Sequence, residues 1–415
     1  MIILKNVCSK AIRLEMPKAL GFYCWIGLLG VISALSVYVI VFGFLRGHEN
    51  VYGTNQGVPW GILVSTYIFF VVTSTGICLV SSLGHVFGVK KFLPLGKRAV
   101  FLAMITLIAG FISMAAELER PWRLFYAIVT PNVSSAIWWM STLYAVYFMF
   151  MATEFLFLSH SDTAKTDDTS PNLLSKLYKL IGISGFSSEK SMRFARMAGI
   201  GGVVAAITAH STLGAIFGLL GARAFWHGPY APIYFILSAF VSGSAVLALV
   251  LLVTYKVTHN EFSPRFRELV HSLGKLLLLF IGILAFFMAW KLITAQYGQV
   301  PGEFEAVMIL VRGPLSLQFW TLEVLMGILV PSFILLNPRT RTIKGIFIAS
   351  LLVLFSIFTA RYDFVLAGQM IPVMGREALF TYKPSPIEIT IVIGAFAICM
   401  LLYSIGEKYL SLKEH

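Results

Sequence analysis

The chain has 415 residues, of which 58% are hydrophobic, 14% aromatic and only 12% charged. Soluble domains carry about 25% charged residues, so this composition excludes an ordinary water-soluble enzyme. It also excludes an intrinsically disordered chain, which needs low hydrophobicity and high charge. A formal net charge of +13 would suggest nucleic-acid binding in a soluble protein. In so apolar a chain the net positive charge instead reflects which loops carry Lys and Arg, and we expect no nucleic-acid partner.

Ten apolar segments follow one another along the chain, each bounded by charged residues, Pro or Asn. A membrane-spanning helix needs about 20 apolar residues, and ten such helices with short loops account for most of the sequence. We therefore predict an all-α, polytopic integral membrane protein with about ten transmembrane helices. The predicted spans are residues 20–45, 60–83, 98–118, 135–158, 194–221, 230–256, 270–296, 314–336, 343–360 and 387–407.

The distribution of Lys and Arg predicts the orientation of these helices. If the N-terminus is cytoplasmic, the segments on that side hold 23 basic residues and the opposite side holds 9. Cytoplasmic loops carry the excess of Lys and Arg, so we predict a protein of the prokaryotic inner membrane with both termini cytoplasmic. The predicted organisation is a cytoplasmic N-terminal segment 1–19, four helices in 20–158, a cytoplasmic linker 159–193, six helices in 194–407 and a cytoplasmic tail 408–415.

The linker has two parts of different composition. Residues 159–172 are polar and typical of a flexible connection. After them, leucines, Tyr178 and Ile181 alternate with Lys176 and Lys179 in the pattern of a short amphipathic helix. Such a helix lies on the membrane surface with its apolar face in lipid. We therefore expect this segment to contact membrane lipid.

The sequence does not predict a redox centre bound by the chain itself. Its four cysteines are scattered and form no CxxC motif for a zinc or iron–sulfur site. A membrane haem needs axial histidines deep in facing helices, and of the eight histidines only His210 lies well inside a predicted span. We therefore expect no haem, flavin, metal ion or iron–sulfur cluster in this chain.

His210 is a functional candidate because ionisable groups inside a membrane are costly. Its helix is rich in Gly and Ala, which indicates close contact with neighbouring helices. Two interpretations are open. The imidazole is either a buried group bonded to a neighbouring backbone, or a hydrogen-bonding and proton-exchanging partner for a bound ligand.

The third predicted helix ends in a cluster of charged residues. Glu117 and Arg120 are three residues apart, and Glu119 and Arg123 are four apart, so each pair could close an ion pair on one helical turn. The cluster is either a set of interfacial salt bridges or a carboxylate–guanidinium group at the outer mouth of a pocket.

Two further sets of charged residues lie in the second half of the chain. Lys291 and Glu323 lie at similar depths in the seventh and eighth helices, which predicts a buried ion pair. Such a pair is either structural or a proton-relay station. Arg361 and Asp363 close the ninth predicted helix and Glu388 opens the tenth, so these three are expected in a network at the outer surface.

Six short motifs lie along nearly the whole chain. They are Pro59-Trp60-Gly61 with Tyr67 and Gly76; Glu117 to Arg123 with Pro131, Ser134 and Ser135; His210 to Gly214; Trp226 with Pro229, Pro232 and Ser238; Arg361 to Asp363 with Gly368 and Gln369; and Tyr382 to Ser385 with Glu388. In their order, these motifs resemble the polysulfide-reductase membrane-subunit family, also termed NrfD- or PsrC-like. The number of helices resembles its ten-helix branch, which includes the membrane subunits of hydrogenase-2 and of the menaquinone reductase (Qrc) complex. Tyr67 stands where some shorter members place a quinone-binding histidine.

The resemblance implies two packed four-helix bundles with flanking helices and no cofactor in the membrane subunit. It also implies electron exchange between a bilayer quinone, expected to be menaquinone, and an iron–sulfur subunit docked on the outer, periplasmic face. Further redox subunits, of the multihaem cytochrome or molybdopterin type, would then lie beyond the iron–sulfur subunit. The outer segments 120–134 and 361–386 are expected to form the docking surface.

With helices two to five in one bundle, as the resemblance implies, His210 is expected to bond one quinone carbonyl. Imidazole suits this role because its ordinary pKa, about 6.5, lets it hold or release a proton near neutral pH. A tyrosine is expected to complete the site, and the carboxylates of the third helix to connect it to water. The residues predicted to bind the quinone are Tyr67, Glu117, Glu119, Arg120, Tyr144 and His210.

The leading prediction is an electron-transfer subunit with a quinone site, which is not catalytic alone. Two alternatives are open at this point. A structural membrane anchor without a quinone site would leave His210 and Glu117 without a ligand. A secondary transporter would be expected to show broken helices and repeat-related halves, and neither is evident in the sequence.

Overall fold

Helices make up the protein in the computed structural model. The structure describes residues 2–166, 173–258, 262–373, 379–410 and 412. Within these ranges it contains α-, 3₁₀- and π-helix and no β-strand. Ten of the described helices are long and apolar enough to cross a membrane. The prediction of an all-α, polytopic membrane protein with ten transmembrane helices is therefore confirmed.

The main helices, numbered in chain order, agree with the predicted spans except at their ends. Helix α1 begins at Ile2, well before the predicted residue 20, and α11, which was predicted to end at residue 360, continues to Met370. Charged residues inside a span are tolerated where they face the protein interior, as Arg361 and Asp363 do here. The bounds are α1 Ile2–Arg46, α2 Ile62–His85, α3 Gly96–Glu117, α4 Ala136–Thr166, α5 Leu173–Ile181, α6 Ser188–Gly218, α7 Tyr230–Thr258, α8 Pro264–Gly298, α9 Glu303–Val311, α10 Ser316–Leu336, α11 Ile343–Met370 and α12 Pro386–Tyr409.

Two four-helix bundles form the centre of the molecule, as predicted. Helices α2, α3, α4 and α6 pack together as the first bundle, and α7, α8, α10 and α11 as the second. Helix α7 also packs against α2 and α6, so the buried apolar residues of both bundles form one continuous core. Helices α1 and α12 pair with each other and flank the first bundle through α3.

The two bundles touch backbone to backbone where α2 crosses α7. A Cβ atom at Gly76 would lie 1.8 Å from the carbonyl oxygen of Ala239. A Cβ atom at Gly243 would lie 2.2 Å from the carbonyl carbon of Gly76. Only glycine therefore fits at either position. Small residues allow this kind of close helix packing in membrane proteins.

The connections between the helices fall into two sets, one at each end of the bundles. The basic end holds the connections α2–α3, α4–α6, α7–α8 and α10–α11, where Lys and Arg are concentrated. The far end holds the connections α1–α2, α3–α4, α6–α7, α8–α10 and α11–α12.

The first part of the linker differs from the prediction. Residues up to Thr166 continue α4, although the polar composition predicted a flexible connection. Ser161 is buried there, and its hydroxyl group is hydrogen-bonded to the Ser188 hydroxyl group at 2.8 Å. Polar residues in this stretch are therefore helical because they pack against α6. Residues 167–172 lie outside the described part of the chain, and α5 follows them at the basic end.

Part of α10 is a π-helix that runs from Phe319 to Leu329. Such helices are rare and are frequently found at functional sites. The sequence offers one local cause, because Pro331 has no backbone N–H to bond the carbonyl group of Gly327, four residues earlier. The π-helix packs against α11 and carries Glu323 with its side chain buried.

Candidate functional site

His210 and Tyr144 form a polar pair inside the first bundle. Both side chains are completely buried. The Tyr144 hydroxyl group and His210 Nδ1 are hydrogen-bonded at 3.2 Å, whereas His210 Nε2 has no hydrogen-bond partner. Each residue lies eight positions from the far end of its helix, or about 12 Å at 1.5 Å per residue. A buried polar atom without a protein partner is available to bond a water molecule, an ion or a ligand.

Three further side chains extend this pair towards α3. Tyr67 is buried, and its hydroxyl group lies 3.6 Å from Met140 Sδ. The ring of Phe111 lies between the two tyrosines, 6.3 Å from that of Tyr67 and 6.1 Å from that of Tyr144. Phe111 is half-buried, so it is the ring of this group that reaches the bundle surface. The structure thus places Tyr67, Tyr144 and His210 in one aromatic region.

The three residues predicted to form an outer-surface network are all buried, so that prediction is wrong. Arg361 and Asp363 lie about two turns before the end of α11, and Glu388 lies in the first turn of α12. Arg361 and Asp363 bond to groups on other helices, and Glu388 bonds to Gly53 and Tyr382 in the connections, none of which sequence spacing reveals.

The Arg361 guanidinium group faces α7. It lies 4.9 Å from the ring centroid of Tyr234 and 4.7 Å from that of Phe235, and it donates a hydrogen bond to Ser238 Oγ. Its Nε and Nη1 atoms have no hydrogen-bond partner. The Phe235 ring also lies 6.0 Å from the imidazole of His210. Phe235 therefore stands between the polar pair of the first bundle and the guanidinium group of the second.

Two carboxyl groups meet inside the second bundle. Glu323 from the π-helix faces Asp363 from α11, and Gln318 Nε2 donates a hydrogen bond to Asp363 Oδ1. Glu323 Oε1 and Asp363 Oδ2 have no hydrogen-bond partner. Two carboxylates in contact repel each other, so the pair is stable when it holds a proton.

A cavity of about 50 Å³ lies beside this carboxyl pair. Apolar and aromatic side chains form most of its wall, and Tyr230, Tyr234, Lys291, Glu323 and Asp363 supply its polar groups. A buried water needs about 10–15 Å³ of such space, so the cavity admits several water molecules. A second cavity of about 20 Å³ is also lined by Tyr234 and Glu323.

Lys291 lines the cavity, but its charge is paired with a residue that the sequence did not indicate. Its Nζ lies 2.5 Å from Glu303 Oε1 at the start of α9 and 5.1 Å from the ring centroid of Tyr230. The predicted ion pair between Lys291 and Glu323 is therefore wrong. Similar depths in two spans suggested it, whereas the short helix α9 brings a different acid closer.

The ion pairs predicted at the end of α3 are not found among the described residues. The helix ends at Glu117, so the following residues do not share its helical turn, and Glu119 and Arg120 are exposed. The Glu117 carboxyl group lies instead near the backbone of Gly61 and near Glu388, and its Oε2 has no hydrogen-bond partner. Glu117 therefore faces the flanking helix α12.

Segments distant in sequence are tied together at the far end. Trp60 stacks on Trp226, with ring centroids 5.6 Å apart. The Gln369 side chain accepts from the Trp60 N–H at 3.0 Å and donates to the Trp60 carbonyl at 2.9 Å. The Tyr382 hydroxyl group accepts a hydrogen bond from the Ile62 N–H at 2.9 Å and donates one to Glu388 at 2.6 Å. These contacts join the start of α2 to α11 and α12.

His48 lies in a short helix between α1 and α2, outside the membrane-spanning segments. Its ring stacks on that of Tyr52, with centroids 4.5 Å apart. Burial lowers the pKa of His48 below its ordinary value, and the nearby charge of Glu119 offsets part of this change. The imidazole is therefore held mainly in its neutral form at pH 7.

The sequence reasoning missed several residues around the carboxyl pair. Tyr230 and Tyr234 are spaced four apart with Ser238, which the motifs include, and this stripe on an apolar helix was a usable signal for a polar face. The roles of Gln318 and Glu303 depend on contacts between helices and had no such signal. Among the described residues, no group of three or more side chains could hold a metal ion.

Known proteins match the chain along most of its length. The family model described as polysulphide reductase, NrfD, matches residues 50–373, which include every helix from α2 to α11. The chain is 27% identical over 409 residues to the Hdr-like menaquinol oxidoreductase integral membrane subunit of Archaeoglobus fulgidus, covering 95% of this chain and 94% of that protein. It is 25% identical over 396 residues to a subunit of the selenate reductase of Mesobacillus selenatarsenatis, covering 90% of this chain and 91% of that protein.

Proposed function

The chain belongs to the NrfD family of polysulphide reductase membrane proteins, and from this premise we propose that it is the quinone-interacting subunit of a respiratory redox complex. One relative is named a menaquinol oxidoreductase subunit and another a selenate reductase subunit, which supports a membrane subunit with redox partner subunits. The name of the first relative favours menaquinone as the quinone. In this proposal the chain is not catalytic alone.

The hydrogen-bonded pair of Tyr144 and His210 is the observation that carries the proposal. A quinone headgroup needs an apolar slot for a flat ring and hydrogen-bond donors for its carbonyl oxygens. The free Nε2 of His210 is a suitable donor, and the aromatic region of Tyr67 and Phe111 is a suitable slot. Because Phe111 is half-buried, a shift of its ring would open this region to the bundle surface.

We propose that the end of α3 connects this site to water. Glu117 lies six residues beyond Phe111, about 9 Å along the helix, and is followed by the exposed Glu119 and Arg120. The unpaired oxygen of Glu117 could exchange protons with that surface. Glu117, Glu119 and Arg120 then connect the site to water, as expected from the sequence. They do so without forming the predicted ion pairs.

The carboxyl pair of the second bundle is proposed as a proton relay. Reduction of a quinone consumes two protons with two electrons, and oxidation of the quinol releases them. Glu323 and Asp363 can hold a proton between them, and the adjacent cavity leads to Lys291 and Glu303. Lys291 therefore belongs to the relay as the cation at the cavity wall, paired with an acid other than Glu323.

The far end is proposed to face the periplasm and to dock an iron–sulfur subunit, with cytochrome- or molybdopterin-type subunits beyond it. The excess of Lys and Arg at the basic end supports this orientation in the inner membrane, with both termini cytoplasmic. Trp122, Phe125 and Tyr126 in the α3–α4 connection are exposed and offer an apolar contact surface. Of the second predicted docking segment, residues 361–370 belong to α11, so only its later part can contribute.

The proposal is tested with His210→Ala in the assembled complex, assayed with a soluble quinone analogue. Loss of one hydrogen bond to the ligand costs about 1–3 kcal/mol. Quinone affinity should therefore fall by about one to two orders of magnitude. The matched control is His227→Ala, because His227 is exposed at the far end. Unchanged quinone affinity and turnover in the His210 variant would show that His210 has a structural role and does not bind the quinone.

A further inference from the structure

Helix α5 is a short helix at the basic end of the molecule. The connection that contains it joins α4 to α6, and both of these helices cross the membrane. Its nine residues, Leu173–Ile181, are strongly amphipathic in sequence. A helix of this kind, with Lys on its polar face, lies in the interface between headgroups and acyl chains.

The protein-facing side of α5 is defined by Tyr178. This side chain is buried, and its ring meets the imidazole of His160 edge-on, with centroids 4.9 Å apart. His160 in turn is hydrogen-bonded through Nδ1 to the Ser191 hydroxyl group at 2.8 Å. Tyr178 therefore fixes the rotation of α5 against the ends of α4 and α6.

The other side of α5 combines basic and apolar residues. Lys176 and Lys179 are exposed, Leu180 is 84% exposed and Ile181 is 51% exposed. Apolar side chains left in water would cost about 25 cal/mol per Å² of their surface. Beside the membrane they can instead enter the acyl region, while the lysine ammonium groups stay among the headgroups.

The beginning of α6 continues this basic surface. Lys190 is exposed, and its ammonium group lies 3.7 Å from the ring centroid of Phe186. Residues 173–196 contain five Lys or Arg and a single acid, Glu189, which is paired with Arg193. The surface therefore carries a clear excess of positive charge.

We propose that this surface binds the headgroup of an anionic phospholipid. It consists of Lys176, Lys179 and Lys190, with Leu180 and Ile181 inserted among the acyl chains. The chemistry fits a lipid better than a protein partner, because the lysines of the polar face adjoin the exposed apolar side chains of Leu180 and Ile181. Bound lipid would hold α5, and with it Tyr178, against the basic end of the first bundle.

The test compares lipid binding by the purified complex in detergent, with phosphatidylglycerol or phosphatidylcholine added and bound lipids counted by native mass spectrometry. The variant is the double substitution Lys176→Gln and Lys179→Gln. The control is Lys256→Gln with Lys344→Gln, which removes two exposed lysines from the same end. Near a membrane each Lys contributes about 1 kcal/mol, or about fivefold, to anionic lipid binding.

We expect the wild type and the control to prefer phosphatidylglycerol, and the Lys176/Lys179 variant to bind it about 25-fold more weakly. Leu180→Asp should weaken binding of both lipids, because it removes the apolar anchor. Equal binding of the two lipids by the wild type would overturn the proposal, as would an equal loss in both double variants. Cross-linking from position 179 to a protein subunit in place of lipid would also overturn it.

Discussion

Glu323 is a carboxyl group inside a membrane-spanning helix, where an ionised carboxylate would cost several kcal/mol. It faces Asp363 and a cavity that admits water, so a proton held by the two carboxyl groups can be transferred to water in the cavity. Glutamine has nearly the same shape but cannot release a proton. We expect Glu323→Gln to lower quinone-dependent turnover by about two orders of magnitude, as for loss of a general acid–base group.

Turnover and proton uptake of this variant are measured together in vesicles that contain the assembled complex. Glu268→Gln is the control, because Glu268 is an exposed carboxylate at the basic end. If the Glu323 variant keeps both its turnover and its proton stoichiometry, the carboxyl pair has a structural role.

His48 provides a pH-dependent test outside the membrane-spanning segments. Burial holds its pKa below the ordinary value of 6.5, so the unfolded chain binds more protons than the folded one as the pH falls below that value. Folding stability should therefore decrease as the pH falls from about 6.5 towards the lowered pKa. His48→Phe keeps the stacking on Tyr52 and removes the titrating group.

The measurement for His48 is the thermal midpoint Tm between pH 8 and pH 5. Over this interval the Tm of the wild type should decrease more than the Tm of His48→Phe. The Tm values of the two proteins should agree most closely at pH 8. A parallel decrease in both proteins would show that other groups control the acid sensitivity.

At the scale of helices, apolar length predicted each spanning element but not its end. Helix α11 continues past Arg361 and Asp363, and Ser238 and Gln318 on other helices each form a hydrogen bond with one of these side chains. Similarly, α4 continues through a polar stretch because its serines pack against α6. Such ends depend on partners that are distant in sequence, so hydropathy alone cannot place them.

The crossing of α2 and α7 gives a prediction about packing. Gly243→Ala would force a methyl group into the backbone of α2, and overpacking of this kind costs about 1–3 kcal/mol. We therefore expect a Tm several degrees lower for the variant. Gly282→Ala in α8 is the control, because a Cβ there meets nothing within 4 Å. Alanine is the better helix former by about 1 kcal/mol, so the control should not be destabilised. Equal Tm changes in both would contradict the close contact.

At the scale of the whole molecule, the charge asymmetry predicts the membrane orientation. With the basic end cytoplasmic, residues 159–193 should be protected from protease added outside intact spheroplasts and cleaved in inverted vesicles. An engineered cleavage site within residues 167–172 provides the measurement, with a second site in the α3–α4 connection as the opposite control. Cleavage of the first site from outside would reverse the orientation and place the docking surface on the other side.

Composition and hydropathy were sufficient to predict the fold class and the ten helices, whereas the family resemblance was needed to bring Tyr144 and His210 into one bundle. The spacing of charges was a poor guide to their partners. Lys291 pairs with Glu303 on a short helix that is too brief to register as a span, and Glu323 meets Asp363 through an unforeseen π-helix. The pairing of buried charges depends on how each helix is rotated and on which helices are in contact. Neither can be read from the spacing of charges in one sequence.

The glycine crossing of α2 and α7 also bears on how the protein can move. Alternating access in secondary transporters requires one half of the molecule to rock against the other around a central site. Here the halves meet with no side chain between their backbones at Gly76 and Gly243, so tilting one bundle would drive main-chain atoms into each other. This contact therefore opposes the rocking of one bundle against the other that alternating access requires. The electron and proton transfer proposed above needs no such opening.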